Sequence, residues 1–119
     1  MTSGKVNHYS NAAAINLGAS APGCAKRILV DDVNDGASIE LLMIEIDPGG
    51  NSPHHIHSYE LAAFVVEGHG KVLVGDAWQD LNPGDVVHVP GSIVHEFVNT
   101  GNTMLKFLSA IPAKRQIES

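Results

Sequence analysis

The sequence predicts an all-β protein, either a small antiparallel β-barrel or a double-sheet jelly roll. The 12 glycines and 6 prolines make up 18 of the 119 residues, and a bundle of long helices does not tolerate chain breakers at that frequency. The apolar runs between the breakers are short and regularly spaced, which is typical of β-sandwiches and barrels. No segment keeps a helical period, and the length suits one domain.

An irregular amino-terminal segment precedes the first predicted strands. Residues 1–23 are rich in Ala, Ser, Gly and Asn and are interpreted as an arm with room for one short strand. Residues 26–30 (KRILV) predict a strand, and the polar residues 31–36 predict the turn after it. Residues 38–47 (SIELLMIEID) are apolar on both alternating faces. This strand is therefore expected to be covered on both sides, by the core and by a second subunit.

The rest of the chain repeats short runs between turns. The turns are predicted at 48–53 (PGGNSP) and 81–85 (LNPGD). The runs are 54–60, 61–68, 70–76, 86–90, 94–99 and 104–111. Nothing marks an internal boundary, so we expect an arm at 1–23, one β-barrel domain at 24–113 and a polar tail at 114–119.

Charge and composition exclude several classes of protein. The net charge of −6 argues against a partner that is nucleic acid or a membrane surface, since both require a basic face. The longest apolar run, residues 61–66, is far shorter than a membrane span. The amino terminus lacks the pattern of a secretory signal, and the single cysteine, Cys24, cannot form an intrachain disulfide. We therefore expect a cytoplasmic protein that acts on a small molecule.

Histidines are concentrated in one short region. Four of the seven fall within residues 54–69. His55 and His57 have the i, i+2 spacing that places two side chains on one face of a strand, with Cα atoms about 6.6 Å apart. Two imidazoles at that spacing can bind one metal ion, and His95, at the start of a strand after a Pro-Gly turn, is the candidate for a third ligand. The alternative is a histidine-rich surface loop without metal.

The flanking residues resemble the two motifs of the cupin superfamily, small β-barrels that hold a metal between their sheets. The resemblance covers residues 38–111. Its first part is Gly49, His55-Ile56-His57, Glu60 and Glu67-Gly68, and its second is Gly84, Pro90-Gly91-Ser92, His95 and Asn99. Ser92 departs from the pattern, because the family usually has glycine there. The run HIHSYELAAFVVEG is also similar to that of compact single-domain cupins, a group associated with metal-dependent oxidative chemistry.

The resemblance implies that His55, His57 and His95 are metal ligands. The family also has an acidic ligand, but that position falls on Leu61, and Glu60 lies one residue early. Because side chains alternate along a strand, Glu60 is expected to face the other way unless a β-bulge re-aims it. The preferred interpretation is a three-histidine site in which Leu61 forms an apolar wall, and the bulge is the alternative.

Three neutral imidazoles suit one divalent transition metal, with Fe, Cu, Zn, Ni, Co and Mn all possible. Such a site has open coordination positions and can polarise a carbonyl, bind dioxygen or acidify water. We expect oxygenase-type chemistry on a small, largely apolar or enolic molecule. Lyase or isomerase chemistry is the alternative if the metal is not redox-active. A non-catalytic module that binds metal or a small ligand is the alternative outside enzymes.

Further residues are predicted around the metal. Alternation places the pocket walls at Leu61, Ala63, Val65 and Phe97. The candidate catalytic acids and bases are Tyr59, Glu60 and His54, which are neighbours of the ligands in sequence.

The sequence also supports predictions about a basic pair and about the oligomeric state. The basic pair Lys26-Arg27 is expected to face solvent, and no lysine is placed to bind a large polyanion. The doubly apolar strand and the long arm predict a homodimer with contact between sheets.

Overall fold

A computed structural model describes residues 4–114. The described chain is almost entirely antiparallel β structure, which confirms the predicted fold class. Its strands are β1 (Ile15–Asn16), β2 (Cys24–Val30), β3 (Ile39–Ile46), β4 (Leu61–Glu67), β5 (Gly70–Val74), β6 (Ala77–Leu81), β7 (Val86–Val89), β8 (His95–Asn99) and β9 (Leu105–Pro112). A 3-10 turn at Tyr9–Asn11 precedes β1, and a short helix α1 at Asp32–Asp35 follows β2.

The strands form two sheets. The larger sheet has the order β1-β2-β3-β9-β4-β7, and the smaller has the order β6-β5-β8. Isolated bridges from Asn51 to Val98 and from His55 to His95 extend the smaller sheet beyond β8. The predicted run 54–60 is thus a bridged segment beside β8 rather than a full strand.

The core lies between the sheets. It includes Ile46, Val65 and Leu105, which are fully buried. Phe97 of the smaller sheet stacks on Phe107 of the larger sheet, with ring centroids 4.2 Å apart. This contact joins the two sheets midway along their strands.

Two further elements differ from the sequence prediction. Residues 77–81 were not predicted as a strand because they lack apolar alternation, yet they form β6, an edge strand exposed at all but its last residue. Its hairpin with β5 has a two-residue loop, and Gly75 in that loop has a φ of 68°, a conformation that favours glycine. Residues 31–36 contain α1, which Asp31 caps at its start and the left-handed Gly36 caps at its end.

The predicted double cover of β3 is present, because residues 42–46 are all buried. Part of the outer cover comes from the arm. Arg27 donates from Nε to Glu45 Oε1 at 2.8 Å and from Nη1 to the Ala12 carbonyl at 2.7 Å, and Lys106 donates to the hydroxyl of Tyr9 at 3.1 Å. The chain itself therefore supplies cover that was attributed to a second subunit, and the homodimer stays a prediction.

The arm and the tail flank the predicted barrel domain. β1 belongs to the predicted arm but pairs with β2, so the arm joins the larger sheet. Of the predicted tail 114–119, only Lys114 lies within the described residues. No helix in residues 4–114 is both long and apolar enough to span a membrane.

Candidate metal centre

Three histidines converge at one end of the space between the sheets. His55 and His95 are held together by backbone hydrogen bonds, His55 N to His95 O at 3.2 Å and His95 N to His55 O at 2.9 Å. The ring centroids of His55, His57 and His95 lie 4.6–4.9 Å apart. One potential ligand atom from each residue lies within 4.8 Å of the other two. Nitrogens bound to one metal at about 2.1 Å lie about 3.4 Å apart, so small side-chain adjustments would complete the site.

Hydrogen bonds set the tautomer of two of these rings. His57 Nδ1 donates to the Tyr59 carbonyl oxygen at 2.9 Å, and His95 Nδ1 donates to the Ile93 carbonyl oxygen at 2.9 Å. Because a carbonyl only accepts, each Nδ1 carries the proton and each Nε2 keeps a lone pair. His95 Nε2 is buried and has no hydrogen-bond partner among the described residues. A buried acceptor with no partner is costly, and a metal ion would satisfy it.

The electrostatic surroundings favour neutral imidazoles. Burial, and then the charges of His95, His57 and His54, together lower the pKa of His55 from 6.5 to about 4. Burial is also the main cause that lowers the pKa of His95, although its hydrogen bond to the Ile93 carbonyl opposes the shift. A metal requires the neutral ring. The residues present therefore fit a divalent transition metal.

The turn before β8 positions the His57 backbone. The Ser92 N–H donates to the His57 carbonyl at 2.7 Å. A Cβ at Gly91 would lie 2.3 Å from the Ser58 carbonyl oxygen, so this close approach requires glycine. Ser92 has a φ of 64°, the left-handed conformation that glycine adopts most easily. This geometry explains why a glycine is usual at position 92 in the motif.

Leu61 and Phe97 line the cavity beside the histidines, at the positions expected for pocket walls. Ala63 and Val65, also predicted as walls, are buried in the core and lie outside the cavity wall. Alternation puts these two residues on the same face as Leu61, but beyond Leu61 the cavity wall in the larger sheet is formed by β2, β3 and β9.

The three candidate catalytic residues have different positions. Tyr59 lines the cavity and stacks on His57. The His54 ring lies outside the cluster, with Nδ1 2.8 Å from Glu96 Oε1. The Glu60 side chain is 69% exposed and its carboxylate lies 3.7 Å from His88 Nε2.

The Glu60 carboxylate is not part of the histidine cluster. Within residues 4–114, the potential ligand atoms that lie close together come from the three imidazoles and from no carboxylate. The pairing of β4 with β7 runs from Leu61 to Phe64 without a register shift. A bulge at the start of β4, the alternative that would re-aim Glu60, is therefore not seen in this pairing.

The cavity at the cluster has a volume of about 600 Å³. Its interior is largely apolar, with Ile28, Leu42 and Phe107 among its walls. Sequence reasoning missed the polar residues that also line it, among them Cys24, Lys26, Glu40 and Ser109. Counting in steps of two from Cys24 along β2 would have placed Lys26 on the inner face.

Comparisons with known proteins agree with this geometry. A family model described as a cupin domain matches residues 42–111. Among curated proteins, the 1-methylthio-D-xylulose 5-phosphate methylsulfurylase of Rhodospirillum rubrum is 32% identical over 81 residues, 68% of this chain and 52% of that protein. The chain thus spans about half the length of this relative.

Solved structures share the fold. The polyketide cyclase RemF from Streptomyces resistomycificus has a TM-score of 0.83 at 27% identity, covering 92% of this chain and 80% of that one. A cupin 2 conserved barrel domain protein from Rhodopseudomonas palustris has a TM-score of 0.75 at 30% identity, covering 86% and 72% of the two chains.

Proposed function

The chain belongs to the cupin domain family, and from that premise we propose that it is a metal-dependent enzyme acting on a small carbonyl or enolic molecule. One observation carries the proposal. The imidazoles of His55, His57 and His95 converge at the wall of a largely apolar cavity, with His95 Nε2 buried and without a partner. An unpaired buried acceptor at a ligand cluster is the arrangement expected of a metal site rather than of core packing.

The proposed role of each residue follows from its contacts. His55, His57 and His95 would hold one divalent ion, which when bound supplies a Lewis acid with open positions for a substrate oxygen. Leu61 and Phe97 exclude water from the same space. Burial, together with the nearby Glu40 carboxylate, raises the pKa of the Tyr59 phenol. Its hydroxyl therefore stays protonated at neutral pH and can donate a hydrogen bond to the substrate.

Two reaction classes are compatible with this site. Two relatives with stated activities are a methylsulfurylase of a xylulose phosphate and a polyketide cyclase. Neither name is that of an oxygenase, which supports a reaction without dioxygen, of the lyase or isomerase type. The oxygenase-type reaction expected from the sequence requires iron or copper at the same three histidines. The identity of the bound metal therefore separates the two classes.

Metal content is the decisive measurement. The full chain is purified without chelator or histidine tag and analysed by mass spectrometry, together with His95→Ala and a control, His69→Ala. His69 is exposed and bonds to Asn82 away from the cluster. We expect about one equivalent of one metal in the native protein and in the control, and less than about a tenth in His95→Ala. Less than a tenth in all three, with no uptake on reconstitution, would overturn the proposal.

Turnover then tests the chemistry. Ketose phosphates and 1,3-diketones are offered to the metal-loaded protein while oxygen uptake and carbonyl absorbance are followed. Oxygen uptake supports the oxygenase class, and a carbonyl change without oxygen uptake supports the lyase or isomerase class. Full metal content without turnover of either substrate class would contradict the enzyme proposal in favour of a binding module.

A further inference from the structure

Lys26 faces the inside of the barrel. Its neighbours at two-residue spacing on β2, Cys24 and Ile28, line the same cavity. Lys26 pairs across the sheet with Ile44, a core residue. Arg27, the next residue along, points to the outer face, where it bonds to Glu45. The basic pair expected to face solvent is therefore divided between the two faces of the sheet.

The charge of Lys26 has no counterion in the part of the chain that the structure describes. The other part-buried cations have partners, since Arg27 pairs with Glu45 at 2.8 Å and Lys106 pairs with Glu67 at 3.4 Å. Lys26 is partly buried and has neither an ion pair nor a side-chain hydrogen bond within residues 4–114. A charge beside an apolar wall is costly unless it is paired. An anionic ligand in the cavity would supply such a partner.

The acidic residues of the cavity lie too far along the strands to serve as that partner. Glu40 is four residues from Ile44, the cross-strand partner of Lys26, and four residues span about 13 Å. Asp31 and Asp32, the other acidic residues of the wall, are five and six residues beyond Lys26 on the same chain, and five residues span about 16 Å in extended form. All three therefore lie toward the opposite end of the cavity from Lys26.

Lys26 lies one step deeper in the cavity than the histidine cluster. Lys26, Ile44 and Phe107 form one row across the larger sheet, and Phe107 stacks on Phe97. His95 is two residues from Phe97 on β8, about 7 Å along the strand. A small molecule bound at the cluster can therefore extend past the two phenylalanines toward the ammonium group.

We propose that Lys26 binds the anionic group, a carboxylate or a phosphate, of a substrate whose other end reaches His55, His57 and His95. This inference rests on the proposed function and names its substrate class as small anions with a short apolar body. Phe97 and Phe107 would contact that body, and the ammonium of Lys26 would form a charge-assisted hydrogen bond with the anion.

Binding of three matched probes tests the subsite. Hexanoate, hexyl phosphate and the neutral hexanamide are titrated calorimetrically into metal-free and zinc-loaded full-length protein. The variants are Lys26→Met, which keeps the length of the side chain, Lys26→Arg, which keeps the charge, and the control Lys71→Met. Lys71 is exposed on β5 and lies outside the cavity wall.

The subsite predicts that the native protein binds one or both anions more tightly than hexanamide, with and without zinc. Lys26→Met should weaken anion binding about tenfold or more and leave hexanamide binding unchanged, while Lys26→Arg and Lys71→Met keep the preference. The anion that loses more affinity identifies the group recognised. Equal anion binding by Lys26→Met and the native protein, or anion binding that requires zinc, would overturn the inference.

Metal content separates this inference from the proposed function. Lys26→Met should retain the native metal content, because Lys26 is not a ligand. If the native protein holds metal but Lys26→Met binds anions normally, only the inference fails. If the native protein holds no metal but Lys26→Met loses anion binding, the anion subsite stands and the proposed function fails.

Discussion

The imidazole of His57 is stacked on the phenol of Tyr59, with ring centroids 3.9 Å apart and planes inclined by only 7°. The same ring donates from Nδ1 to the carbonyl oxygen of Tyr59 at 2.9 Å. One residue thus fixes both the tautomer and the plane of a proposed metal ligand. Because the two contacts use different parts of Tyr59, substitution can separate them.

Replacing Tyr59 with alanine should weaken zinc binding about tenfold, because partners that orient a ligand contribute to metal affinity. The backbone carbonyl that accepts from His57 remains in this variant, so the loss reports the stacked ring alone. Tyr59→Phe keeps the ring and should bind zinc as the native protein does. Competition with a chromophoric chelator measures both affinities. Native affinity in Tyr59→Ala would show that the stacking does not orient His57.

The metal-free protein should lose stability as the pH falls from about 6.5 toward 4. Burial and the charges of neighbouring histidines lower the pKa of His55 to about 4, and burial is the main cause that lowers the pKa of His95, whereas unfolded histidines titrate near 6.5. In this window the unfolded chain binds more protons than the folded chain, so the free energy of unfolding decreases with decreasing pH. Their contribution is fully present above pH 6.5.

Urea unfolding between pH 7.5 and 5 measures this effect. The double variant His55→Asn/His95→Asn should show a shallower pH dependence than the native protein, because the two shifted groups are gone. His69→Asn, which removes a histidine outside the cluster, should keep the native slope. Equal slopes for the native protein and the double variant would contradict the assignment to His55 and His95.

The histidine cluster could be predicted because its determinants are local. The i, i+2 spacing of His55 and His57 places them together, and the Pro-Gly turn before β8 places His95 at a strand start. The inward position of Lys26 was missed because both members of the Lys26-Arg27 pair were expected to face solvent, although alternation puts neighbouring residues of a strand on opposite faces. Arg27 is the outward residue and bonds there to Glu45, a partner 18 residues away.

Which inward-facing residues line the cavity was equally hard to predict. The alternation of β4 correctly separates inner from outer residues, but it does not show which inner residues line the cavity and which are packed in the core. Beyond Leu61 the cavity wall in the larger sheet follows β2, β3 and β9, and the pairing of these strands joins segments that are far apart in the sequence. The cover on Glu45 also comes from residues distant in sequence, since Arg27 and Lys106 both reach it.

Asn99 is expected to be a major determinant of stability. It is 2% exposed. Its Nδ2 donates to the carbonyl oxygens of Ile46 and Thr103, each at 2.8 Å, and its Oδ1 accepts from Gly101 N at 2.9 Å. Asn99→Ala leaves three backbone groups without these partners and should lower the free energy of unfolding by about 3 kcal/mol. Urea denaturation measures the loss, with Asn102→Ala as a surface control. A loss below about 1 kcal/mol would show that water replaces these bonds.

Ser92→Gly should stabilise the protein without changing its metal affinity. Ser92 has a φ of 64°, and the left-handed conformation costs a residue with a side chain about 1–2 kcal/mol. Glycine removes that cost but adds entropy to the unfolded chain, so the expected net gain is about 0.5–1 kcal/mol in the free energy of unfolding. The hydrogen bond from the backbone N–H of residue 92 to His57 O does not involve the side chain and remains.

A β-branched residue at position 92 should have the opposite effect to glycine. Ser92→Val should destabilise the protein, because a β-branched residue fits the left-handed region worse than serine. It should also weaken zinc binding, since a shift of this turn moves the backbone that holds His57. Urea denaturation of the metal-free variants and zinc titration of each measure the two effects separately. A Ser92→Gly variant less stable than the native protein would show that the serine hydroxyl, rather than the backbone conformation, determines stability at this turn.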